Sequence, residues 1–235
     1  MVMAAHMDTT TAISTGRNII TLMDTEALLT LTQWMSPSFP VGAFAYSHGL
    51  EQVIDHGALA SAADLQDWLE DILEHGGAKS DAILLAAAYN AAQDEITAVD
   101  RTARAFAASS ERLTETLDQG AAFARTVNAI WGTDISPCAY PVAVGQAAAH
   151  RKLELGKTAE LFVHAMIANL VSAAVRLVPL GQTEGQAVLA KLAPKIKATA
   201  QTALTQTLDD LSSNCFALDI AAMQHETQYS KVFRT

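Results

Sequence analysis

Apolar residues recur along this chain at helical spacing. Leu65, Trp68, Leu69, Ile72 and Leu73 fall at i, i+3, i+4, i+7 and i+8 and form one stripe. Ser61 and Asp64 stand in capping-box positions before the stripe and Gly76 closes it, which predicts a helix between them. Asp64, Asp67, Asp71 and Glu74 share its opposite side, where a solvated face is the default. Weaker patterns predict helices near 25–35, 47–56, 80–92, 97–109, 110–131 and 138–152. A stronger one covers 158–178, with Thr158 as cap, Pro179 as stop, and Leu161, Phe162, Ala165, Met166, Asn169 and Leu170 on one face. Thr183 and Gln186 form another capping box, opening a helix that Pro194 interrupts before a further one reaches about Leu211. Alternating strand patterns, internal repeats and low-complexity linkers are absent. The expected architecture is all-α: a single-domain helical bundle of about ten helices over 23–224, with a flexible N-terminal extension at 1–22 and a C-terminal tail at 225–235.

Composition narrows the function classes. Half of the 235 residues are apolar and only 17% are charged, which suits closely packed, alanine-rich helices. The formal net charge is -10, and residues 51–100 hold eleven acids against the single base Lys79. An acidic chain repels phosphate backbones, so nucleic acid is an unsuitable partner. The acidic quarter suits a solvated surface better than a basic partner or a cation. Cys138 and Cys215 lie far apart without a C-x-x-C, which argues against a disulfide framework or zinc site. Reduced cysteines, no signal-type apolar segment and no run of membrane-spanning length together predict a cytoplasmic protein away from the membrane.

Motifs that would carry chemistry fail on context. Gly156-Lys157-Thr158 resembles the end of a P-loop, but Arg151 stands where its first glycine is needed and a helix precedes. Ala45-Tyr46-Ser47-His48-Gly49 resembles a loosened nucleophile elbow without the sheet that would expose a serine, so Ser47 reads as a helix cap. E-x-x-H pairs are absent, and Glu160 with His164 reads as a structural pair. His225-Glu226 suits a protein partner better than a metal, and no cofactor or metal site is expected. Two segments remain. In the loop from Ser36 to Phe44, Pro37 and Pro40 stiffen the chain, Gly42 permits a special turn, and Phe39 and Phe44 need burial or a partner; a purely architectural turn is the competing reading. The tail from His225 carries Tyr229, Phe233 and Arg234, residue types that supply interface energy. It reads as a mobile arm ordered by a partner, with Tyr229 and Phe233 on one side of a helical turn; folding back onto its own domain is the alternative.

These segments are similar to the urease accessory protein UreF family. The likeness runs through Ser36-Pro37-Ser38-Phe39-Pro40-Val41-Gly42-Ala43-Phe44-Ala45-Tyr46-Ser47-His48-Gly49-Leu50-Glu51, then Cys138-Ala139-Tyr140-Pro141, then Pro179-Leu180-Gly181-Gln182-Thr183-Glu184-Gly185-Gln186, and ends with His225 to Thr235. Lys231, Val232 and Thr235 depart conservatively from the Arg, Leu and Ser common there. The resemblance implies a non-catalytic, homodimeric helical protein that joins UreD (UreH in some systems) and the GTPase UreG, the assembly delivering nickel to apo-urease. It places partner-binding residues at Ser36, Pro40, Gly42, Ser47, Gly49, Glu51, Pro179, Gly181, Gln182, His225, Glu226, Tyr229, Phe233 and Arg234. The alternative class is a helical metal-dependent enzyme using the carboxylates from Asp64 to Glu74, which would need to face a pocket with raised pKa values or a divalent ion.

Overall fold

The stripe from Leu65 to Leu73 forms the helix Ala62–His75 in the computed structural model, which describes residues 24–212 and 214–234. Ser61 Oγ accepts from the Asp64 N–H at 3.2 Å and Asp64 Oδ2 accepts from the Ser61 N–H at 2.9 Å, completing the capping box. Leu65, Leu69, Ile72 and Leu73 are buried and Trp68 is half-buried, while Asp64, Asp67, Asp71 and Glu74 face solvent. In chain order the elements are α1 (Thr25–Trp34), a 3-10 turn (Ala43–Ala45), α2 (Leu50–Asp55), α3 (Ala62–His75), α4 (Gly77–Asn90) and α5 (Ile96–Ala105). There follow α6 (Ser110–Trp131), α7 (Tyr140–His150), α8 (Leu155–Leu177), α9 (Gln182–Ala203), a second 3-10 turn (Leu208–Asp210) and α10 (Phe216–His225). Among the described residues there is no strand. The expected extension at 1–22 lies outside them, as does Thr235.

The most extensive helix contacts are α4 with α7 and α8 with α9. A Cβ at Gly145 of α7 would sit 2.4 Å from the Leu85 carbonyl oxygen of α4, so these two helices touch at backbone distance. Buried Ala82, Ala88, Ala147 and Ala148 allow that approach, which accounts for the abundance of alanine. A chain of rings, Trp131, Trp34, Phe123, Tyr140 and Phe162, runs through the core with centroids 5.3–5.7 Å apart. Phe39 joins it at 5.5 Å from Phe123, so the proline-rich loop is anchored by its own aromatic.

Several expectations need correction. The helix expected from Thr158 starts at Leu155, because the Glu154 carboxylate accepts from the Gly156 and Lys157 N–H groups at 2.7 and 2.8 Å. Those amides are the ones a phosphate would have used. The deeply buried face of α8 is Phe162, Val163, Ile167, Leu170 and Val171, while Leu161, Ala165, Met166 and Asn169 stay half-exposed. At 23 residues α8 is also long and apolar enough to cross a membrane, contrary to the reading that no run was; half of its most apolar stretch is buried against other helices. Glu160 pairs with Lys157 at 2.7 Å, and His164 is exposed.

Pro194 does not interrupt α9, which runs unbroken from Gln182 to Ala203. Buried Leu192 and Ile196 on either side hold the helix against its neighbours and offset the missing backbone bond. Its cap is shifted from the expected pair: Glu184 Oε2 accepts from the Gly181 N–H at 2.8 Å. The region toward Leu211 is a short 3-10 turn, and α10 was not anticipated because it is apolar on more than one side and lacks a clear period.

Candidate functional site

The turn before α2 sets the position of Glu51. His48 and Gly49 both adopt left-handed backbone, at φ 55 and 78, and a Cβ on Gly49 would lie 2.7 Å from the Ala222 nitrogen of α10. Gly49 therefore serves twice, in the turn and in the close approach of α10. Ser47 is fully buried, and its Oγ accepts from the Glu51 N–H at 3.4 Å, but the N-cap of α2 is Gly49, two positions after the serine expected to cap it. The effect is to present the Glu51 carboxylate, with the residue only 5% exposed, to the C-terminal segment.

Glu51 is the centre of a clasp. Its Oε1 accepts from the Val232 N–H at 2.7 Å and its Oε2 from the Phe233 N–H at 2.8 Å, with His225 Nε2 at 3.3 Å. The His225 ring is wholly buried, and its Nδ1 lies 2.7 Å from Glu111 Oε2 on α6. Glu111 Oε1 receives Lys231 Nζ at 2.7 Å, and Lys231 also donates to the Glu226 carbonyl. The Glu226 carboxylate accepts from the Ser110 N–H at 2.8 Å, at the start of α6; hydrogen bonds from Ser110 hold its carboxyl below the usual range. Arg234 donates its N–H to the Ala45 carbonyl at 2.8 Å. Its side chain also bonds Tyr46, whose hydroxyl burial pushes upward and this bond pulls back. Phe233 is buried beneath the Arg176 guanidinium, 4.8 Å from its ring centroid.

The tail is thus folded against its own helices, which corrects the expectation of an arm without contacts of its own. Tyr229 and Phe233 do not share a helical face, since α10 ends at His225: Tyr229 is fully exposed and Phe233 is in the core. The expected site residues divide accordingly. Ser47, Gly49, Glu51, His225, Glu226, Phe233 and Arg234 meet at the clasp. Ser36 closes a turn, its carbonyl accepting from the Phe39 N–H at 2.9 Å; Pro40 is exposed; Gly42 sits at φ 76 with open space around its Cα. Pro179, Gly181 and Gln182 are exposed at the α8–α9 turn, apart from the clasp bonds. Sequence reasoning missed Glu111, Lys231 and Arg176, whose partners are more than fifty residues away and leave no local pattern.

A second polar cluster, also unforeseen, lies on the other side of the α2 turn. Arg112 Nη1 donates to Glu115 Oε2 and lies 2.7 Å from His48 Nε2, which is 2.8 Å from Glu115 Oε1. Gln119 Nε2 adds a further bond to Glu115 at 2.8 Å. Burial alone would raise the Glu115 carboxyl, but Arg112 and His48 hold it down to about 2. Burial and the Arg112 charge push His48 below its ordinary value. Asp81 on α4, 4.0 Å from Arg112 Nη2, is raised by burial to about 6.

Burial pushes the Cys138 thiol up to about 12 and raises Cys215 as well, away from reactive thiolate character. Three carboxylates of the alternative enzyme reading, Asp64, Glu70 and Glu74, shift the other way from what it requires. Asp64 is exposed and lowered by its cap hydrogen bonds, and Glu74 is exposed and lowered by Lys195. Among the described residues no His, Cys, Asp and Glu group is arranged to hold a metal ion.

Fold and clasp together define an all-α bundle whose distinctive feature is a chain end fastened by a buried carboxylate. The family model for UreF matches residues 59–193. Urease accessory protein UreF of Roseobacter denitrificans is 64% identical over 214 residues, covering 91% of this chain and 96% of its own length. The proteins of the same description from Ruegeria pomeroyi and Cereibacter sphaeroides are 50% and 52% identical over 209 residues, covering 88% and 89% of this chain and 96% and 99% of theirs. The chain belongs to the UreF family of urease accessory proteins.

Proposed function

We propose that the protein acts without catalysis of its own in urease maturation, bridging UreD (UreH) and the GTPase UreG as a homodimer in the cytoplasm so that nickel, the cargo, reaches apo-urease. The observation that carries this reading is the surface next to the clasp. Phe216, Ile220 and Met223 stand at i, i+4 and i+7 on α10 and are 70%, 51% and 52% exposed, and Tyr229 and Val232 in the segment after the helix are exposed as well. A protein surface of this kind is suited to burial against a partner, and the clasp holds it in one shape beforehand, which lowers the ordering cost of association. UreD is the partner assigned to it. The α8–α9 turn with Pro179, Gly181 and Gln182, and the loop with Ser36, Pro40 and Gly42, remain for the other contacts of the complex. Co-purification with UreD and UreG followed by nickel-dependent urease activation tests the proposal. Ile220→Glu with Met223→Glu should abolish UreD capture and activation while helix content is kept. Full capture by that variant would exclude this surface, and failure of the unaltered protein to capture either partner would exclude the function.

A further inference from the structure

A cavity of about 400 Å³ opens between α1, the proline-rich loop, α6 and α8. Its exposed lining is mostly apolar and includes the rings of Trp34, Phe44, Tyr140 and Phe162. It is also lined by the cluster of His48, Asp81, Arg112 and Glu115, the first three of which border a smaller cavity of about 80 Å³ as well. Two groups on residues lining the cavity lack satisfied hydrogen bonds. Trp34 Nε1 is buried without a partner. Asp81 has only the 4.0 Å approach of Arg112, too long for a hydrogen bond, yet 18% of its side chain is accessible deep within the fold because it faces the cavities. A volume in this range, apolar walls and a few convergent polar groups are the attributes of a small-molecule site.

The charges select the ligand. Arg112 is matched by Glu115, His48 is held toward its neutral form, and the carboxylate left over is Asp81. We propose that this cavity binds a small organic cation, its ammonium head hydrogen-bonded to Asp81 and its apolar body against the rings of Trp34, Tyr140 and Phe162. The titratable groups bordering the two cavities are His48, Asp81, Arg112, Glu115, Tyr140, His164 and Asp219, and of these Asp81 has its pKa at about 6. Binding should therefore strengthen as pH rises through that region and release protons below it.

Calorimetry with 2-phenylethylammonium on the full chain, at pH 5.5 and 7.5 in buffers of different ionisation enthalpy, tests this. The expected result is binding about fourfold tighter at the higher pH, with proton release at the lower. Asp81→Asn should weaken binding tenfold or more and remove the pH dependence, with circular dichroism confirming the fold. Ala168→Trp, placed in the cavity wall away from Asp81, should block binding by filling the space. Absence of binding by the unaltered chain, equal affinity for the uncharged 2-phenylethanol, or unchanged affinity in either variant would overturn the proposal.

Discussion

Two buried carboxylates, Glu51 and Glu115, flank the same α2 turn, and they are satisfied by opposite means. Glu115 is bound by charged or polar side chains from His48, Arg112 and Gln119, all on segments fixed by the core. Glu51 is bound by backbone N–H groups of Val232 and Phe233 and by His225, all from the last stretch of the chain. Removing Glu51's partners requires only the end of the chain to lift away, whereas removing Glu115's requires the bundle to open. The difference separates a centre that stabilises the fold from one that decides the shape of a surface. Local opening is expected where a few hydrogen bonds hold a terminal segment.

Breaking the first centre should have the larger effect. Glu115→Ala leaves the Arg112 guanidinium buried without its partner, which costs about 3–5 kcal/mol in comparable buried pairs. Urea unfolding should show that loss with an unchanged slope. Acid should act on the same centre. Glu115 is held far below the ordinary carboxyl value, so its stabilisation is complete above about 4.5 and lost as pH falls from there toward about 2. His48, lowered by burial, adds a loss that begins as pH falls below 6.5. Asp81 has the opposite sign: its raised value favours the fold below its unfolded pKa of 3.8, and that contribution disappears as pH rises through about 6. Glu115→Gln should flatten the acid limb below 4.5, and an unchanged limb would show that other carboxylates set it.

Gly49→Ala addresses the junction between the two centres. The added methyl meets α10 backbone at 2.7 Å and the residue must keep φ 78, which together should cost about 2–4 kcal/mol. Glu51→Ala should cost less globally, about 1–3 kcal/mol, because the tail can leave and solvate the donors it loses. Its signature is local: the Val232 and Phe233 amides should exchange with solvent much faster while core amides keep their protection. Deleting 226–235 should likewise lower the melting temperature, since Phe233 leaves the core and Glu51 and Glu111 lose partners. Unchanged melting after that deletion would restore the mobile-arm reading.

Much of the bundle was legible because helix periodicity and caps are local. The Ser61 cap, the apolar stripe of α3 and the span of α6 all come from residues within a few turns of each other. Pro194 misled because tertiary packing on both sides of α9 outweighed a local penalty. At the clasp, Ser47, Gly49, Glu51, His225 and Phe233 were legible as important, but not that they meet. Glu51 and Phe233 are 182 positions apart, and neither has a spacing that names the other. The Arg112–Glu115–His48–Asp81 cluster left no trace, since single charged residues on an amphipathic pattern look the same whether they face water or a cavity.

The smallest effect on the fold is expected at Tyr229, and it sharpens the comparison most. Tyr229 lies on the segment closed by the clasp yet is fully exposed, so its ring contributes no burial to the folded chain. Tyr229→Ala should therefore change stability by no more than about 0.5 kcal/mol, as surface substitutions do. Tail amide exchange should also stay unchanged, because the ring is not part of the bonds to Glu51. If the clasp exists to present this surface, the same variant should weaken UreD capture by roughly tenfold, the loss of an aromatic anchor. Glu51→Ala should weaken capture too, but with accelerated tail exchange in the free protein. Matching exchange profiles in the two variants would show that Tyr229 supports the docked tail, and full UreD capture by Tyr229→Ala would remove this residue from the interface.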